Sequence, residues 1–123
     1  SDMIFVIYMQ NSIYVCGKTM TYENKAELFQ ILSHPVRLQI LDELRRREAC
    51  VCHLQAVTGR PQAYVSQQLR ILRDADLVMD EKDGQNVFYN LRNDEVRVLL
   101  KQTFGEAGES THPRDCQCPF CSL

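Results

Sequence analysis

Cys50-Val51-Cys52 sets two soft thiol ligands two positions apart, and Cys16, Cys116, Cys118 and Cys121 lie toward the ends of the 123-residue chain. Within a regular helix, side chains at i and i+2 point more than about 150° apart, so both thiols can serve one ion only if Cys50 lies at or before a helix start. There the exposed backbone N–H groups and the helix dipole favour a thiolate, the form a metal ligand must take. Two thiolates make a weak site, so a third is expected from elsewhere. Cys16, upstream of the first expected helix, is one source for it. Cys116, Cys118 and Cys121 form a second compact triplet in DCQCPFC. That triplet is open to three readings: a second metal(loid) site, a donor to Cys50 and Cys52, or thiols without a role. His53 and His112 are expected to be surface residues and are left outside the site.

Cys118-Pro-Phe-Cys121 also copies a redox dithiol, whose first cysteine gains acidity by opening a helix. Only Ser122 and Leu123 follow in this sequence, so no helix supplies that field and an enzyme is not expected. Six cysteines without a basic, apolar leader read as cytoplasmic, reduced thiols rather than as a disulfide framework. The apolar run from Ile4 to Met9 is far too short to span a bilayer. No membrane partner and no small organic substrate are expected.

The length fits one domain, and 45% hydrophobic residues can supply a modest core, better if two chains share it. Formal charge is −2 overall, yet residues 34–73 hold seven arginines against three acids, +4, and the remainder carries −6. Such segregation fits a nucleic-acid face on an acidic body, or merely a solvated helix face.

The elements that must position these residues follow from periodicity. Leu28, Phe29, Ile31 and Leu32 suit a short amphipathic helix, broken at Ser33-His34-Pro35, and a second helix is expected over 35–47 with Val36, Ile40, Leu41 and Leu44 inward. A third, over about 50–58, ends at Gly59, and Arg60-Pro61 turns into a fourth over about 62–75. Two short helices joined by a tight turn containing Gly form a helix-turn-helix. In the fourth, Val65, Leu69 and Leu72 face the core, leaving Arg60, Gln62, Ala63, Ser66, Gln67 and Arg70 for DNA, where Gln can grip adenine with two hydrogen bonds. Tyr64 either meets the sugar-phosphate backbone or packs. Two strand-like runs flank Asp83-Gly84, a hairpin signal, and a last helix is expected over about 93–104 with Val96, Leu99, Leu100 and Phe104 on one side. The expected class is α+β, mainly α: a winged helix-turn-helix with a two-stranded hairpin wing. Residues 1–22 form an N-terminal extension, 23–104 the DNA-binding domain, and 105–123 a cysteine-containing tail.

With EACVCHL (48–54), SQQLRILRDADLV (66–78) and the Asp-Gly wing in this order, residues 24–104 resemble the ArsR/SmtB family of bacterial metal-responsive repressors. The resemblance implies a homodimer, joined through the first and last helices, that sits on double-stranded operator DNA and leaves when metal binds. Members with Cys-x-Cys at this place respond to arsenite, antimonite, cadmium or lead, and in the cadmium- and lead-responsive ones an N-terminal extension supplies thiols to this pair, often across the dimer, which implies Cys16, Cys50 and Cys52 as a three-sulfur site suited to a thiophilic ion. The last helix lacks the ligands of zinc-responsive relatives, which disfavours zinc. The wing, with Asp80, Glu81 and Asp83, is more acidic than that family's, and DCQCPFC is not part of its pattern. A thiol-redox or persulfide-sensing repressor on the same fold is the alternative.

Overall fold

The computed structural model describes residues 21–109, which fall into two units divided after Leu32. The first contributes α1 (Tyr22–Leu32), whose start is capped by Thr21: its Oγ1 accepts the Asn24 N–H at 3.0 Å. No residue of α1 is buried, and Phe29 is 57% exposed.

The second unit runs α2 (Pro35–Leu44), β1 (Ala49–Cys50), α3 (Val51–Thr58), α4 (Gln62–Asp74), β2 (Val78–Asp83), β3 (Asn86–Leu91) and α5 (Asp94–Phe104). Pro35 opens α2, where a missing N–H costs nothing. Asn93 caps α5, its Oδ1 accepting the Val96 N–H at 3.0 Å. Gly59 ends α3 at φ 70°, ψ 21°, a left-handed position that glycine adopts without strain. Ile40 and Leu41 of α2, Leu54 of α3, Val65, Leu69 and Leu72 of α4, and Val96 of α5 are fully buried and form the core. The α4 stripe is therefore the one its periodicity predicts.

β2 and β3 form the expected hairpin, closing through Gly84 and Gln85 with Asp83 opposite Asn86 and Gly84 at φ 66°. Three details depart from the expectation. The sheet has a third strand: β1 pairs antiparallel with β3, Ala49 opposite Tyr89 and Cys50 opposite Phe88, giving the order β1-β3-β2. α2 stops at Leu44, not Arg47, because the chain must turn there to enter β1 and the Arg45 and Arg46 side chains find partners outside the helix. On α5, Val96 and Leu100 are buried, but Leu99 is only half-buried and Phe104 is 50% exposed.

Candidate thiolate site and nucleic-acid interface

Cys50 is at once the last residue of β1 and the N-cap of α3, with φ −86° and ψ 170°. That extended backbone swings its side chain out of the helical rotation. Its Sγ therefore lies 3.3 Å from Cys52 Sγ rather than on the opposite face. Cys50 is buried, Cys52 is half-buried, and neither is in a disulfide. Sulfurs bound tetrahedrally to one ion at about 2.3 Å lie roughly 3.8 Å apart, so the pair needs only a small opening to become two ligands of a soft cation. Among the described residues no group of three His, Cys, Asp or Glu could hold a metal ion. Cys16, Cys116, Cys118, Cys121 and His112 lie outside the described residues.

His53 is not the surface residue its sequence position suggested. It is fully buried, and its Nε2 lies 2.6 Å from Glu43 Oε2, itself 1% exposed. Arg46 NH1 stands 3.6 Å from the other Glu43 oxygen. The pair ties the last turn of α2 to the first turn of α3 through His53 Nε2.

Beyond the Gly59 turn, Arg60, Gln62, Ala63, Gln67 and Arg70 are exposed and Ser66 is half-buried, so the outer face of α4 presents amide, hydroxyl and guanidinium groups together. Tyr64 packs: its hydroxyl is 3.4 Å from His34 Nε2, and the Arg60 guanidinium lies over its ring at 5.2 Å. Gln68, on the inner side of α4, accepts from Arg37 Nε at 2.8 Å, fixing the helix to α2. The wing's acidity is partly answered by α4 itself, since Arg73 NH1 donates to Asp80 Oδ2 at 3.0 Å. Tyr89, on the neighbouring strand, has its phenol pushed above the ordinary value of 10.0, first by burial and then by Asp80, with Arg73 opposing.

Sequence reasoning missed Glu43, Arg37 and Arg73. Each acts through a partner distant in sequence or on another element, and no local pattern marks it.

A family model described as bacterial regulatory protein, arsR family, matches residues 34–80, from the head of α2 into the wing. The transcriptional repressor SmtB homolog of Synechocystis is 39% identical over 72% of this chain and 67% of its own length. The solved structure of reduced HlyU from Vibrio cholerae superposes with a TM-score of 0.63 at 32% identity, covering 68% of this chain and 92% of that one.

The chain belongs to the arsR family of bacterial regulatory proteins.

Another ArsR-type relative, the HTH-type transcriptional regulator KmtR of Mycobacterium tuberculosis, is 42% identical over 60% of this chain, which spans 57% of that protein's length. The ArsR fold accounts for the architecture: a winged helix in which α3 and α4 form the helix-turn-helix and β2-β3 the wing. Its relatives are transcriptional regulators, and this ArsR-family chain is not an enzyme. No helix among the described residues is long and apolar enough to cross a membrane.

Proposed function

We propose that this ArsR-family chain is a cytoplasmic, homodimeric repressor that holds double-stranded operator DNA through α4 and releases it when a thiophilic metal(loid) ion binds. The ion is arsenite or antimonite, or else cadmium or lead. Its ligands are Cys50 and Cys52 with a third thiolate, from Cys16 or from Cys116, Cys118 or Cys121. The observation that carries this reading is the 3.3 Å approach of Cys50 and Cys52 at the head of the helix-turn-helix, aligned by an N-cap outside the helical rotation.

When bound, the ion supplies strong, directional bonds to sulfur. The protein supplies the rest. Cys50 is paired with Phe88 in the sheet and opens α3, so opening the thiol pair displaces the wing strand and the first helix of the reading motif together. Arg60 at the turn, and Gln62, Ala63, Tyr64, Ser66, Gln67 and Arg70 on α4, form the DNA-facing surface. Gln62, Ser66 and Gln67 suit base edges; Arg60 and Arg70 suit phosphates. Metal and operator weaken each other by one shared factor if the ion prefers the DNA-free geometry. The domain limits that go with this reading are an extension over 1–22, a DNA-binding domain over 23–104 and a tail over 105–123.

A redox reading draws on the same contact. Two thiols 3.3 Å apart can pass two electrons and two protons to an oxidant and join as a disulfide, and the HlyU structure is that of a reduced protein. Titration of the reduced protein with As(III), Cd(II), Pb(II) and Zn(II), followed by operator binding, separates the two. Stoichiometric release under strong reductant, abolished by Cys50→Ser or Cys52→Ser with operator affinity intact, supports metal sensing; release only by an oxidant, or by a polysulfide whose sulfur is already oxidised, supports the redox reading.

A further inference from the structure

α2 is bonded to both helices of the helix-turn-helix. Near its start Arg37 Nε donates to Gln68 Oε1 of α4 at 2.8 Å. At its end Glu43 Oε2 lies 2.6 Å from His53 Nε2 of α3. The two attachment points stand about 9 Å apart along the helix axis, and between them Ile40 and Leu41 are fully buried. Glu43 is itself oriented: Arg46 NH1 stands 3.6 Å from its Oε1, and Arg46 Nε donates to the Ala107 carbonyl at 2.6 Å. The Glu43 and His53 side chains are 1% and 0% exposed, so water does not compete for their bond, and the low dielectric around it strengthens it.

The two thiols are held unequally. Cys50 belongs to β1, a two-residue strand at the edge of the sheet, with Phe88 of the wing strand opposite. Cys52 stands in the first turn of α3, beside His53. Leu54, fully buried, also seats that turn, but apolar contact is non-directional and does not stop it rotating. Opening the sulfurs from 3.3 Å to the roughly 3.8 Å of a shared ion can be met by such a rotation, or by a relative displacement of larger bodies. The bond from His53 to Glu43 opposes the first. An ion absorbed by local rotation would leave operator affinity unaltered, because a ligand shifts an equilibrium only by its difference in affinity for the two states.

We propose that Glu43 and His53 are positioning residues of the sensor. By tying the turn that carries Cys52 to α2, and through Arg37 and Gln68 to α4, they turn the opening of the thiol pair into a displacement of the wing strand relative to the joined helices. The proposal rests on the sensor reading above and extends it from the ligands to the groups that transmit their movement.

The test uses the reduced full chain, measuring operator affinity with and without Cd(II) together with Cd(II) affinity from the ultraviolet sulfur-to-metal charge-transfer band. In Glu43→Met combined with His53→Leu, the band and the operator affinity of the ion-free protein are expected to match the parent, while the factor by which Cd(II) weakens operator binding falls tenfold or more. By linkage, the factor by which operator weakens Cd(II) binding falls equally. Glu43→Gln keeps an acceptor for the imidazole and should keep the parent's factor. A parental factor in the double variant overturns the proposal, as does loss of its band, or a Glu43→Gln chain as uncoupled as the double variant. Should the double variant fold poorly, the parent supplies the measurement: the proton shared by His53 Nε2 and Glu43 gives a downfield magnetic resonance signal, expected to stay slow to exchange when Cd(II) binds. Its loss on loading also overturns the proposal. A parent whose operator affinity ignores Cd(II), or a band unchanged in the Cys50→Ser, Cys52→Ser chain, would instead remove the sensor reading itself.

Discussion

Glu43 Oε2 and His53 Nε2 meet at 2.6 Å with both side chains sealed from solvent, one residue beyond Cys52. A buried carboxylate deprived of its partner is costly, whereas an apolar pair of similar volume is often tolerated. His53→Ala, which leaves the Glu43 carboxylate buried without the imidazole, should therefore lower the unfolding free energy by about 3 kcal/mol or more, while Glu43→Met combined with His53→Leu loses much less than the two single changes added. Urea unfolding with an unchanged m-value checks this; additive losses in the double variant would show that the two side chains are not coupled.

The exposed face of α4 divides by chemistry. Gln67 offers an exposed amide, proposed above to meet a base edge, so Gln67→Ala should cost about 1–3 kcal/mol on the cognate operator and relax its sequence preference. Arg70→Ala should weaken all duplexes alike and shallow the salt dependence by about one unit of slope. Binding isotherms on cognate and scrambled duplexes at several salt concentrations decide; parental behaviour in both variants would move the reading face elsewhere.

Tyr89 makes the fold sensitive to alkali. Its phenol holds its proton above the ordinary value of 10.0 because burial, and then Asp80, disfavour the phenolate. The folded value is the higher one, so this contribution to stability is complete below pH 10 and is lost as pH rises through the folded value. Unfolding measured along an alkaline series should steepen above pH 10 in the parent and flatten in Tyr89→Phe. Asp80→Asn should bring the tyrosinate absorption in at lower pH, and an unmoved titration would show that Asp80 does not act on the phenol.

Phe104 is 50% exposed and Val98 58% on α5, and Phe29 is 57% exposed on α1. A small domain leaves such side chains uncovered where another copy can cover them. A dimer is expected at micromolar concentration by sedimentation, with its two α4 helices set about one duplex turn, roughly 34 Å, apart on DNA. Phe104→Glu should shift it toward monomer, and a parent that sediments as a monomer would exclude this assembly.

The elements whose stability is local were legible in the sequence. Val65, Leu69 and Leu72 mark the buried stripe of α4, Gly59 its preceding turn, and Asp83-Gly84 the wing hairpin. The thiol geometry was legible too, since i and i+2 cysteines meet only when the first stands outside the helix. What escaped was set by remote partners. Ala49-Cys50 is too short to announce a strand and is one because β3 lies beside it. α2 stops early because Arg45 and Arg46 reach carbonyls about sixty positions away. His53 is buried because an acid on another helix receives it, and no periodicity encodes that pairing.

Gly59 separates the two sets of residues in the proposed reading: Cys50 and Cys52, the proposed ligands in the described chain, lie before it, and the side chains proposed to face DNA lie after it. On that reading, inducer choice and genomic address occupy different sentences of the same short paragraph of sequence. Exchanging the donors at Cys50 and Cys52 could retune the inducer without rewriting the operator, and grafting another α4 surface could redirect the protein without changing its inducer.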